Sequence, residues 1–355
     1  MENLFTDDRT TDNDSINNWR MREVGVSDLK YLSIDVGGTF TKFALMDEDC
    51  NFYGKDKIAT RKDTLEEFVG MLEELYRKFE DSVSGIAICA PGMVDSDTGF
   101  MYNGGSIFCV KNINLVEILE NRCHVPVTVE NDARCAALAE VWKGSLGDCR
   151  NAIALIIGTA VGGAVIVDRK VLKGKNFMAG EFSYLFTDES RWQERSQLLA
   201  ENGGVPGLIR LVSKRRGIPE EELTGERIFS LANQGDAITL ECLREYCRHL
   251  SIQISNYQFV VDPEKIAIGG GISVQPIFLE MIKEELRNLN KVFPYTMPIP
   301  DVVTCKYFND SNLIGALYVH LKARENSIDV DKVREFMELL KDRREGKYLQ
   351  KLFEK

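Results

Sequence analysis

No stretch of this 355-residue chain is a continuous apolar run of membrane-spanning length. The longest candidates, such as "NAIALIIGTAVGGAVIVD" at 151–168, are broken by glycines and read as strands. The first residues are polar and acidic, so no signal peptide is expected. Basic charge is short as well: 44 Lys and Arg stand against 55 Asp and Glu, a formal net charge of -11, and no Lys/Arg run offsets it locally. Nucleic acid and anionic membrane are therefore not expected partners, because both would be repelled. Cysteine spacing of the disulfide or zinc kind is missing too. Nine cysteines, an odd number without tight spacing, read as free thiols of a reducing cytoplasm. Their one cluster, Cys242 and Cys247 beside His249, lies in a helical pattern, and its spacing matches no common zinc motif.

What is present is globular. Hydrophobic residues make up 44% and charged residues 28%, enough to give two domains proper cores. Residues 1–29 are Asn/Asp-rich and without periodicity, a loose arm. Three strand-like runs follow (31–36, 39–46, 52–58), then the helical "DTLEEFVGMLEELYRKF", the buried strand "GIAICA", and the Pro91-Gly92 turn. "INLVEILENRC" reads as helix, "VPVTVE" as strand and "DARCAALAEVW" as helix. This alternation predicts an α/β domain with parallel strands. The second half restarts with a hairpin, "AIALIIG" to "GAVIVDR", and the strand "VLKGK". It continues through helices over "SRWQERSQLLAEN", "VPGLIRLVSKRR", "GERIFSLAN" and 236–261. The strand "KIAIGGG", a helix, the short strand "DVVTCKY" and the helix "SNLIGALYVHLKA" complete it. The charged C-terminal stretch 326–355 carries a thin apolar stripe and reads as a helical extension.

The halves look alike. Gly38-Thr39 and Gly158-Thr159 each join paired strands, and Gly54-Lys55 and Gly174-Lys175 follow at the same offset, as two copies of one strand–GT–strand–turn–strand unit would. Chance likeness between hairpins gives the same picture. Facing hairpins of this kind would offer backbone N–H groups to a polyphosphate from both sides.

"DVGGT" is neither a Walker A loop nor a Rossmann fingerprint, because no helix follows it. Gly37 and Gly38 permit positive φ and close approach of backbone to an anion. Thr39 adds a hydroxyl, Lys42 a positive charge, and Asp35 at the strand end could hold a hydrated Mg²⁺ against phosphate. In "VPVTVENDARCAALAE", Asn131 and Asp132 fit plain helix capping. They equally fit a site at a strand's carboxyl end, with Asp132 taking a proton from a substrate hydroxyl and Asn131 binding another. Glu181 in "AGEF" could accept sugar hydroxyl protons or lie on a surface loop. Gly269, Gly270 and Gly271 fit packing against a flat nucleobase or a simple strand-to-helix turn.

As an ordered set, "DVGGTFTK", "APGMVDSDTG", "VPVTVENDARCAALAE", "IGTAVGGAVIVDRKVLKGKNFMAGE" and "IGGGIS" closely resemble the ROK family of repressors, open reading frames and sugar kinases, from about Tyr31 to Ala323. The resemblance implies two ribonuclease-H-like (actin-like ATPase) α/β domains with ATP and sugar in the cleft between them. The first domain would be 30–138 plus about 311–325, and the second 139–310. The ATP loops would be Asp35, Gly37, Gly38, Thr39 and Lys42 on one side. On the other they would be Gly158, Thr159, Gly162 and Gly163, with Gly270 and Gly271 at the nucleotide. Asp132 would be the catalytic base, and Asn131, Glu181, Gly104 and Gly105 would meet the sugar. It also implies ATP and Mg²⁺ as cofactors, a cytoplasmic place and a homodimer.

The chain departs from the family in one segment. Many members carry a histidine and a cysteine-rich zinc site after "AGE". Here the histidine position is Tyr184, and "TDESRWQERSQLLAENGG" holds no cysteine or histidine, so no structural zinc is expected. Glu201 is the nearest counterpart of the sugar-binding glutamate in that segment. The zinc-free pattern resembles β-glucoside kinases, which makes O6 of glucose, a glucose-like sugar or a glucoside the expected acceptor. N-acetylmannosamine is the alternative within the class, and a non-catalytic sugar-binding protein the alternative outside it. A repressor would need a helix-turn-helix ahead of Asp35, which the acidic arm does not supply.

Overall fold

The computed structural model describes residues 29–326; the expected arm (1–29) and charged extension (326–355) lie, but for Leu29 and Asn326, outside the described residues. Three antiparallel strands come first, β1 (Lys30–Val36), β2 (Phe40–Asp47) and β3 (Phe52–Ala59). β1 is buried along its whole length, as the central strand of a covered sheet must be. α1 (Leu65–Arg77) starts from a capping box: the Thr64 hydroxyl accepts the Glu67 N–H while the Glu67 carboxylate reaches back. β4 (Ile86–Ala90) leads into a small antiparallel sheet of β5 (Met93–Asp95), β6 (Phe100–Asn103) and β7 (Lys111–Asn114). Then come α2 (Leu115–Cys123), β8 (Val127–Asn131) and α3 (Asp132–Lys143).

The second half repeats the start with β9 (Ala152–Ile157), β10 (Val161–Val167) and β11 (Lys170–Val171). Four helices follow: α4 (Leu199–Asn202), α5 (Val205–Arg216), α6 (Gly225–Asn233) and α7 (Ala237–Val261). β12 (Lys265–Gly269), α8 (Pro276–Asn290), β13 (Val302–Thr304) and a last helix, α9 over 311–326, complete the described chain.

The two large sheets share one topology. Their orders are β3-β2-β1-β4-β8 and β11-β10-β9-β12-β13, each with an antiparallel three-strand edge and two parallel strands beyond it. The internal repeat is therefore real, but the Gly-Lys pairs are not equivalent. Gly54 sits inside β3 opposite Leu45, whereas Gly174 lies past β11 with φ +71°. The helix expected over "SRWQERSQLLAEN" is instead two short turns and the brief α4. Its residues 191–196 are all exposed, so no apolar stripe is buried to sustain a helix.

α3 explains how the halves are joined. Its small residues let it lie close to two surfaces at once. Ala137 and Val141 pack with Ala152, Ala154, Ala164 and Ile166 of the second sheet. Ala139 packs with Tyr31, Ala44 and Met46 of the first sheet and with Leu313, Ile314 and Leu317 of α9. A helix buried on nearly all sides belongs to both cores.

One core group makes stability depend on pH. His320 on α9 is buried, its ring 5.3 Å from that of Tyr31 and its Nδ1 3.1 Å from Thr128 Oγ1. Burial pushes its pKa down to about 4, a hydrogen bond with the Ile86 backbone opposing in part. Between pH 6.5 and 4 the unfolded chain then binds the proton and the folded one does not, so stability falls as pH drops through that window. The expected loss is about 3 kcal/mol. Urea unfolding at pH 7 and pH 4.5 measures it, and His320→Gln should remove most of the slope; an unchanged slope would exonerate this residue.

Candidate active site

The strand ends and turns of both sheets meet at a cleft of about 690 Å³. Its first wall begins where β4 ends. Gly92 has φ +103°, and a Cβ there would run into Asn103 O, so only glycine lets this turn close on the Asn103–Ser106 loop. The floor is the β8–α3 junction. Asn131 caps α3 by accepting the Arg134 N–H (3.2 Å) and donates through Nδ2 to Gly92 O (3.0 Å). Asp132 follows as the first helical residue, half-buried, with Oδ1 accepting the Ala133 N–H at 2.8 Å. Burial pushes its carboxyl above the usual range, the nearby Asp35 charge adding to this and the Ala133 and Asn131 hydrogen bonds opposing.

The opposite wall is the β9–β10 hairpin, which contributes Gly158, Thr159, Ala160 and Gly162. Gly162 faces Ala133, where a Cβ would come to 3.0 Å, so hairpin and helix start are in near contact. Ala160 at the tip of this hairpin does not take a positive φ, so the turn closes without a glycine there. The loop after β11 closes the far side with Phe177, Met178 and Glu181. Burial raises the Glu181 carboxyl, Arg134 opposing and Asp132 adding.

Of the residues singled out in the sequence, Asn131, Asp132, Glu181, Gly105, Gly158, Thr159 and Gly162 line this cleft. Gly104, Gly163 and Asp35 do not line it, though Gly105, Gly162 and the Asn312 that Asp35 holds do. Asp35, buried at the end of β1, accepts from Asn312 Nδ2 (3.0 Å) and faces Lys42 Nζ (3.6 Å). Neither Gly37 nor Gly38 uses the positive φ that glycine permits. They serve closeness instead: a Cβ would meet Phe40 O at 2.6 Å from Gly37 and Ser106 Oγ at 3.0 Å from Gly38. The Gly37 N–H is spent on Phe40 O (3.1 Å), and Thr39 is exposed. Gly270 and Gly271 lie outside the lining, but a Cβ on Gly270 (φ +93°) would run into Ile157 O, which sets this loop against the second hairpin. Glu201 is not brought to the cleft; it faces Arg195 (3.4 Å) and Arg210 (4.0 Å).

Asn312, Ser106, Phe177 and Met178 were not singled out in the sequence. Asn312 is 277 positions from the Asp35 it holds, and only its place at the start of a helical pattern hinted at a role.

Residues 31–323 match the ROK family model. The chain belongs to the ROK family. It is 32% identical over 310 residues to a β-glucoside kinase of Klebsiella pneumoniae, covering 86% of this chain and all of that one. Among solved structures it resembles the Lmo2764 protein of Listeria monocytogenes, for which N-acetylmannosamine kinase activity has been suggested (TM-score 0.76, 30% identity, 83% of this chain and 100% of that one). It is as similar in fold to a ROK protein of Streptococcus pneumoniae solved with sucrose (TM-score 0.76, 28% identity, 84% and 100%). Within this ROK chain, no helix of the described residues is long and apolar enough to cross a membrane.

Proposed function

We propose that this ROK protein is an ATP-dependent sugar kinase that transfers the γ-phosphoryl group to a hexose hydroxyl, O6 of glucose or of a glucoside, with Asp132 as general base. The observation that carries the reading is the placing of Asp132: a carboxylate of raised proton affinity on the cleft floor, between the β9–β10 hairpin and Glu181. A raised carboxyl is a better proton acceptor than an exposed one, which is what removing a hydroxyl proton during in-line attack asks of it. Asn131 and Glu181 would orient the sugar hydroxyls, with Gly104 and Gly105 beside them. Gly37 and Gly158 have their own N–H groups tied up within their turns. The Thr159–Ala160 tip of the second hairpin and Gly38 and Thr39 of the first turn would therefore face the phosphates with backbone N–H groups, with Gly162 and Gly163 beside them, Lys42 adding charge and Gly270-Gly271 near the nucleotide.

Among the described residues no group of three or more His, Cys, Asp or Glu could cage a metal. That fits Mg²⁺ brought in with ATP, which takes one or two carboxylates and completes its shell with phosphate oxygens and water. We assign Asp35 to it, through water; bound there it would neutralise charge on the transferred group.

Acceptor identity is tested by ADP release with ATP and Mg²⁺ across glucose, mannose, N-acetylmannosamine, N-acetylglucosamine, cellobiose and gentiobiose. Turnover on glucose or a β-glucoside is the expected result. Preference for N-acetylmannosamine would favour the reading suggested for the Listeria relative. ATP binding with no turnover on any sugar would leave a non-catalytic binding protein.

A further inference from the structure

Arg134, two residues beyond Asp132, is one of the largest fully buried side chains of the molecule, yet it carries a full charge. It lies beside Glu130 (3.5 Å), which is equally buried, and the Glu130 carboxylate is itself held by Ser96 Oγ (2.7 Å) and the Asn131 N–H (2.8 Å). The guanidinium donates in two further directions. Nη1 reaches Val94 O on β5 (3.3 Å), and Nη2 reaches Phe177 O (2.6 Å) in the loop after β11. The last bond ties the two halves together behind the cleft wall, from a helix that starts in the first half to a loop that leaves the second sheet and lines the cleft with Phe177.

Phe177 is held in a conformation that a phenylalanine rarely adopts, φ +57°. Its ring lies 5.6 Å from Tyr102, and four residues later the turn closes with the Glu181 N–H on Met178 O (3.2 Å). Such a backbone persists only when its surroundings hold it, and the charged donor on its carbonyl is the strongest restraint in view.

We propose that Arg134 is a positioning residue: by holding the Phe177 main chain from the α3 side it fixes Met178 and Glu181 opposite Asp132, so that sugar binding depends on it. The claim rests on the reading of the cleft as a sugar site, and two measurements separate the two. Removing Arg134 alone would strand a buried Glu130, so the working variant is E130Q/R134M, with R134K as the conservative partner that keeps a charged donor on a shorter side chain. In E130Q/R134M, backbone amides of 172–181 should exchange hydrogen faster while those of β9 and β12 keep their protection. The sugar KM should rise about tenfold or more, with ATP KM within about twofold of the parent, and R134K should fall between. Unchanged exchange in 172–181, or a loosened loop with an unchanged sugar KM, overturns the proposal. So does an equal rise of both KM values. Faster exchange in E130Q/R134M, with a parent that turns over no sugar, would support the latch and sink the kinase reading instead.

Discussion

Asp132→Asn is expected to lose about a thousandfold or more in kcat, with both KM values nearly unchanged, because a positioned base is worth roughly two to four powers of ten. The substitution should not disturb the fold. Asn keeps an oxygen to accept the Ala133 N–H, which Asp132 Oδ1 accepts at 2.8 Å. It should even stabilise it. The carboxyl is raised by burial first and by Asp35 second, so the folded chain holds its proton more tightly than the unfolded chain does. Stability from that preference is complete below the ordinary carboxylate pKa and is lost as pH rises through the raised value. At neutral pH the native Asp132 is therefore a liability that the Asn variant lacks. The thermal midpoint of Asp132→Asn should lie above that of the parent at pH 7, and the two should converge in acid. Retention of more than about a tenth of kcat would remove Asp132 from the role of base. A lower midpoint at pH 7 would instead show that the carboxylate is a structural cap.

The same raised carboxyl should set the acid limb of the activity profile. A base at Asp132 must be ionised to act, so under the proposed mechanism the rate should decline as pH falls through its raised pKa. Glu181 is raised as well, by burial first, and would steepen that limb if its charge also orients the sugar.

Most of the framework was readable because it is local. Alternation, glycine turns and caps mark β1, β2, β4 and β8 and the start of α3 at Asn131, and the matching strand–GT–strand units reveal two sheets of one topology. What escaped reading depends on contacts distant in sequence. The small sheet of β5, β6 and β7 has strands too short for periodicity to register. Asn312 reaches Asp35 only because α9 packs back on β1, as Ser33 Oγ donating to Leu313 O (2.6 Å) also shows. Glu201 was placed by the likeness of the segment around it, yet it does not line the cleft and faces Arg195 and Arg210 instead. Arg134 looked like an ordinary helix residue, since nothing local says that its end is buried between a strand and a loop of the other half.

The packing of α9 on α3 gives the second large effect. Gly315 is buried in α9, and a Cβ there would overlap the Cys135 carbonyl oxygen and crowd the Cys135 backbone. In an exposed helix, Gly→Ala gains about 1 kcal/mol from propensity. Here the obstacle is main chain, which cannot rotate aside, so the two helices must separate. Gly315→Ala should cost about 3 kcal/mol net, at the upper end of overpacking penalties. It should also lower kcat/KM, because α3 carries Asn131 and Asp132 at its start and α9 carries Asn312, which holds Asp35. Gly70 in α1 is the internal control, since nothing lies within 4 Å of the Cβ it would gain. The same substitution there should stabilise by up to about 1 kcal/mol and leave activity alone. Urea unfolding of the two variants side by side therefore reads opposite signs from one chemical change. Equal signs would mean that propensity, rather than the close crossing of α9 over α3, governs these positions, and the placement of the cleft floor by that crossing would fall with it.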